Sequence, residues 1–80
     1  MSLERGRWYM RANLLNARKA LGYTQQEISE NLGITKRQYQ RLEAGTSDGS
    51  VKVWQQLKQI LHAKSIDYLL EQVVENHLTK

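Results

Sequence analysis

The stretch from Thr24 to Gly45, TQQEISENLGITKRQYQRLEAG, constrains this chain more than any other. It contains the same device twice. Thr24-Gln25-Gln26-Glu27 and Thr35-Lys36-Arg37-Gln38 are both boxes of the Ser/Thr-x-x-Glu/Gln type. In such a box the hydroxyl oxygen takes one orphan amide of a helix start, and the acid or amide three residues on reaches back to another. Each box leads into apolar residues at helical spacing, Ile28 and Leu32 in the first and Tyr39 and Leu42 in the second. Each run ends in glycine, Gly33 and Gly45, the residue that most easily takes a left-handed stop. The pattern predicts two short helices joined by a tight turn. Ser29 falls at their expected closest approach, where a small side chain is required.

The flanking sequence reads in the same terms. The chain has no proline and only five glycines, which suits helices with short breaks. A first helix is expected from about Trp8 to Leu21, with Met10, Leu14, Ala17, Arg18 and Leu21 on one face and Gly22 as its stop. After Gly45 comes a polar loop, Thr46-Ser47-Asp48-Gly49. Ser50 is placed to cap a fourth helix whose stripe is Val53, Trp54, Leu57, Ile60 and Leu61. His62-Ala63-Lys64 is a short connection. Ser65 then caps a fifth helix carrying Ile66, Leu69, Leu70, Val73, Val74 and Leu78 on one face. The expected fold class is all-α: a compact bundle of about five short helices with an extended C-terminal helix. The expected organisation is a single domain over 1–80, with a minimal unit at about 10–70 and a helical extension over 71–80.

Bulk properties narrow the function. Eighty residues make one domain, and a chain so short buries only about 60% of its unfolded surface, so support from a second subunit is expected. With no cysteine, neither a disulfide framework nor a thiolate metal site can form. No apolar stretch approaches the ~18 residues of a membrane span, and the Met1–Arg7 region lacks the apolar segment of a secretory signal. A cytoplasmic setting is expected, phage-encoded or associated with a prokaryotic nucleoid. The net charge is +4 and the pI about 9.6. Residues 1–45 hold eight Lys/Arg against four Glu, whereas residues 46–80 hold four Lys against four acids. The basic excess therefore lies in the half with the two capping boxes, which suits a polyphosphate partner.

Catalysis is not expected. His62 and His77 lie fifteen residues apart on separate segments, each read as a surface or interface side chain. No His/Asp/Glu cluster has metal-ligand spacing. Gly45-x-x-x-Gly49-Ser50 has no lysine after the glycine and no strand before it, so it is no phosphate-binding loop of the nucleotide type. Neither cofactor nor metal is expected.

From about Met10 to Leu70, roughly three quarters of the chain, the residues resemble the phage repressor and Cro type of helix-turn-helix, the xenobiotic-response-element (XRE) family. The resemblance rests on Arg18, on Leu21-Gly22-Tyr23-Thr24-Gln25-Gln26-Glu27-Ile28, on Leu32-Gly33-Ile34-Thr35, and on Tyr39 with Leu42-Glu43-Ala44-Gly45. Ser65-Ile66-Asp67-Tyr68-Leu69-Leu70 also resembles the family's last helix. The motif is degenerate at single positions and specific as a whole. Ser29 stands where Ala is usual, Tyr39 where Ile or Val is usual, the loop lacks the family's frequent proline, and the chain continues past Leu70. The Tyr39 hydroxyl needs a partner or a route to water.

The resemblance implies a lambda repressor-like domain that binds double-stranded DNA as a transcriptional regulator, expected to be a repressor, with helix 35–44 in the major groove. It implies base contacts from Lys36, Arg37 and Arg41, with Gln38 and Gln40 as further readers, the alternative for Gln38 being that capping uses it up; Arg and Lys suit guanine and Gln suits adenine. Gln25, in the first turn of the preceding helix, is expected on a phosphate. Thr24, Thr35, Thr46, Ser47, Ser50 and Lys52 are further phosphate candidates. Arg18 and Glu43 are expected to form a structural ion pair that sets the angle of the recognition helix. A homodimer is expected, with Trp8, Leu15, Val73, Val74 and Leu78 as its surface. Two alternatives stand beside this reading. One is an antitoxin-type regulator that also binds a toxin protein. The other is a basic helical module at a membrane surface or in a structural assembly, which would carry cations along a whole helix face.

Overall fold

In the computed structural model of the chain, residues 7–76 are described, with their side chains over 10–72. The elements run β1 (Arg7–Met10), α1 (Ala12–Ala20), α2 (Gln25–Leu32), α3 (Lys36–Ala44), α4 (Val51–Ile60), α5 (Ile66–Leu70) and β2 (Val73–Asn76). Five helices carry the core, as expected.

Both capping boxes form. Thr24 Oγ1 accepts from Glu27 N at 3.0 Å while Glu27 Oε1 accepts from Thr24 N at 2.9 Å. Thr35 and Gln38 repeat the exchange at 3.0 and 2.9 Å. Ser50 and Ser65 cap α4 and α5 as single acceptors. Gly33 and Gly45 sit at φ 74° and 82°, where a side chain would crowd the backbone. The turn after α4 reaches a similar conformation without glycine, with His62 at φ 55°.

Each helix sends at least one side chain to a single core. Leu14 comes from α1, Ile28 and Leu32 from α2, Tyr39 and Leu42 from α3, Trp54 and Leu57 from α4, and Leu69 from α5; Leu61 joins them from the α4 cap. Burying each such side chain contributes about 1.5–3 kcal/mol before the entropy of ordering is counted. Ser29 is wholly buried, and its hydroxyl donates back to Gln26 O at 2.8 Å, so the close approach leaves no orphan polar group. Asn13 ties α1 to α5 by donating to Tyr68 O at 3.0 Å and Glu71 Oε1 at 2.8 Å.

The chain ends depart from expectation. The first helix begins at Ala12 rather than Trp8, and the last ends at Leu70 rather than continuing through Val73 and Val74. The two ends pair instead as an antiparallel ribbon, with Trp8 opposite Glu75 and Met10 opposite Val73. Local chemistry favours this. Trp8, Tyr9, Val73 and Val74 are aromatic and β-branched residues that prefer the pleated backbone. Glu71 leaves the helix at ψ 125°. Arg11 N donates to Glu43 O at 2.9 Å, which holds the chain off a helical path before α1. Leu21, expected on the inner face of the first helix, lies beyond its end and is 46% exposed. Leu78 lies outside the described residues. No helix among the described residues is long and apolar enough to cross a membrane.

Candidate nucleic-acid interface

The third helix has two chemically opposite faces. Tyr39, Leu42 and Glu43 are buried, whereas Lys36, Arg37, Gln40, Arg41 and Ala44 are exposed. Lys36, Arg37, Gln40, Arg41, Ala44 and Thr46 line one open groove. Four of the five expected base readers are thus brought together. Gln38 is not among them. Its carbonyl is committed to the Thr35 cap, and it borders a different hollow with Ile34, Ser47, Ser50 and Val53.

Beneath the outer face lies a hydrogen-bonded set centred on Glu43. Arg18 Nε donates to Glu43 Oε2 at 2.5 Å, and Arg18 Nη2 reaches Oε1 at 3.4 Å. Arg18 Nη1 also donates to Tyr23 O at 2.7 Å, which fixes the end of α1 to the start of α2. Tyr39 Oη donates to Glu43 Oε2 at 2.6 Å, so the hydroxyl that an apolar residue would lack is satisfied internally. The hydrogen bond to Glu43 holds the Arg18 guanidinium even further toward its charged form than usual. Burial, and then the bond to Glu43, push the Tyr39 phenol above its ordinary range, so it stays a neutral donor.

Gln25 connects this set to the surface. It is half-buried at the first turn of α2. Its Nε2 donates to Glu43 Oε1 at 3.0 Å, and its Oε1 accepts from Gln40 Nε2 at 3.1 Å. The remaining phosphate candidates fall into three groups. Thr24, Thr35 and Ser50 each accept a backbone amide as caps, which leaves the hydroxyl proton able to donate outward. Thr46 borders the groove, although its hydroxyl also points to Arg41 O at 3.4 Å. Ser47 is half-buried and takes Gly49 N at 3.4 Å, whereas Lys52 is exposed in the first turn of α4.

One structural residue has no signature in the sequence. Arg11 is only 3% exposed. Its Nη1 donates to Leu42 O at 2.7 Å and to Ser47 O at 2.8 Å, and its guanidinium lies 5.0 Å from the Trp54 ring centre. Burial pulls its pKa down, opposed in part by Asp48, which is 3.9 Å away and solvent-exposed. Arg11 therefore fastens the loop after α3 to the core. Trp54 Nε1 helps by donating to Asp48 O at 2.6 Å. Gly49 is required there: a Cβ would come within 2.9 Å of Leu42 Cδ2 and Trp54 Nε1, at φ 69°. Because its acceptors are mostly backbone carbonyls, no residue type marks this cluster in advance. Of the basic residues over 10–45, where side chains are described, Arg11 and Arg18 are interior; Lys19, Lys36, Arg37 and Arg41 face solvent.

Among the expected dimer residues, Trp8 lies on β1, Val73 and Val74 lie on β2, and Leu15 is half-buried on α1.

A protein-family model described as helix-turn-helix matches residues 14–69. That span covers α1 to α5 almost in full and includes the α2–turn–α3 unit and the Glu43 set. No curated protein and no solved structure matches the chain. With the fold, the two capped helices and the family match in agreement, the chain belongs to the Cro/C1-type helix-turn-helix family (the XRE family), whose members are DNA-binding transcriptional regulators.

Proposed function

We propose that this protein is a sequence-specific repressor that seats α3 in the major groove of duplex DNA as a homodimer. The observation that carries the reading is the outer face of α3, where Lys36, Arg37, Gln40 and Arg41 share one open groove above a buried, fully bonded underside. Arg37 and Arg41 are the readers of guanine, and Lys36 reads or anchors beside them. Gln25, Thr24 and Thr35 lie at the starts of α2 and α3, where free amide groups and hydroxyls favour phosphate oxygens. Thr46, Ser47, Ser50 and Lys52 supply further backbone contacts from the loop that Arg11 holds and from the start of α4. Repression asks nothing of the protein beyond occupying its site, and all of these features serve occupancy.

Dimerisation places two α3 helices on half-sites about one helical turn apart. We assign the dimer surface to the region of Trp8, Leu15, Val73 and Val74. Its support is the β1–β2 ribbon, an antiparallel pair of strands that brings Trp8, Val73 and Val74 onto one element.

Selection from randomised duplexes tests the reading. A palindromic consensus, with guanine columns that disappear on Arg37→Ala or Arg41→Ala, is the expected result. A reporter driven by a promoter overlapping that consensus should fall when the protein is expressed. Recovery of no consensus, or of one unchanged by both substitutions, would contradict the assignment.

A further inference from the structure

The chain of side chains running from Glu43 to the surface has a direction. Glu43 faces the Arg18 guanidinium, which can only donate, so its carboxylate acts as an acceptor on every side. The half-buried Gln25 must therefore turn its NH2 group toward Glu43, and it does so at 3.0 Å. That leaves the Gln25 carbonyl facing Gln40, which must answer with its own NH2 group, and it does so at 3.1 Å. One N–H of Gln40 is thereby used, and its carbonyl and second N–H remain for the groove. An amide on a free side chain flips at little cost. This one is held in a single sense by a buried charge two links away.

We propose that Glu43, acting through Gln25, fixes the amide of Gln40 so that it offers one acceptor and one donor to an adenine in the major groove. Adenine presents the complementary pair there, the N6 amino donor and the N7 acceptor. Gln40 is then a specificity-determining residue, and Gln25 and Glu43 are positioning residues for it. The proposal rests on the reading of α3 as the recognition helix. It changes the role of Gln25: besides weakening contact with any duplex, its removal should blur one particular column of the recognised sequence.

The test compares randomised-duplex selections for the wild type, Gln40→Met and Gln25→Met, with circular dichroism melts confirming that each variant is folded. Methionine keeps the length and packing of glutamine without its hydrogen bonds. In the expected result the wild type shows one adenine column per half-site. Gln40→Met abolishes that column. Gln25→Met also blurs it, while the guanine columns of Arg37 and Arg41 persist. Replacing that adenine by 7-deazaadenine in the wild-type site should weaken binding about tenfold, and should matter much less to Gln25→Met. A column absent in Gln40→Met but intact in Gln25→Met would overturn the relay and leave Gln40 as an independent reader. A consensus unchanged by Gln40→Met would overturn the proposal while leaving the DNA-binding reading in place. A wild type that selects no sequence would overturn both.

Discussion

Two buried arginines bond to the C-terminal half of α3, and they are kept there by different means. Arg18 meets a carboxylate, Glu43, at 2.5 Å. Arg11 meets backbone carbonyls of Leu42 and Ser47, the face of Trp54 and a distant, exposed Asp48. The consequences run in opposite directions: the pKa of Arg18 is raised and that of Arg11 lowered. Arg11 also leaves its buried Nε without a partner among the described residues. Arg18 belongs to a charge-compensated set that includes Tyr39 and Gln25, so it governs the underside of α3 and the amide groups leading outward. Arg11 is a strap with imperfect compensation, and what it governs is the loop from Thr46 to Ser50. A buried cation tells little until its acceptors are named.

The largest effect expected from breaking this contrast is at Glu43. Glu43→Ala strands the Arg18 charge and the Tyr39 hydroxyl together, and should cost about 3–5 kcal/mol in urea unfolding. Removing the whole set at once, by Arg18→Met, Tyr39→Phe and Glu43→Leu, should cost less than Glu43→Ala alone, because no charge is then left uncompensated. The opposite ranking would mean that the pair stabilises the fold outright. Next comes Arg11→Met, which leaves two carbonyls without their charged donor and should cost about 2 kcal/mol. Its amide exchange should rise over 46–50 and remain low in α2.

Tyr39→Phe is milder, at about 1 kcal/mol, and it carries a pH signature. The folded phenol ionises above its ordinary value of 10.0, so its contribution is complete below about pH 10. It is lost as pH rises further, because the unfolded chain releases the proton first. The stability gap between wild type and Tyr39→Phe should shrink above that point, by up to about 1.4 kcal/mol per pH unit. A gap that stays constant into strong alkali would show that Tyr39 is not held as a donor to Glu43. Smallest of all, Lys36→Ala and Arg37→Ala should change stability by less than about 0.5 kcal/mol, while both weaken DNA binding.

The contrast also explains what a reader of the sequence can and cannot find. The α2–turn–α3 unit is legible because its determinants are local. Thr24 and Glu27, or Thr35 and Gln38, lie within one turn of each other, and Gly33 and Gly45 mark the stops. Arg18 and Glu43 are legible only through the family pattern, since nothing local links them. The Arg11 strap leaves no trace, because carbonyl oxygens are the same at every position. The ends of the chain mislead for a related reason. Val73 and Val74 fit a helical stripe counted from Ile66, and the partner that makes them a strand, Trp8 to Met10, lies at the far end of the sequence. The Thr35-x-x-Gln38 box already marks Gln38 for a cap in the sequence. What the folded geometry adds is that Gln40 borders the groove and Gln38 does not.

The central claim is that the solvent face of α3 binds the duplex. Its most direct test is the salt dependence of binding to the selected duplex, compared between wild type and the variant Lys36→Ala/Arg37→Ala/Arg41→Ala. Wild-type affinity should fall steeply with salt. Its log–log slope should be steeper than the variant's by about 0.9 for each phosphate that the variant no longer neutralises. Equal slopes and equal affinities for the two proteins would place the interface elsewhere on the molecule.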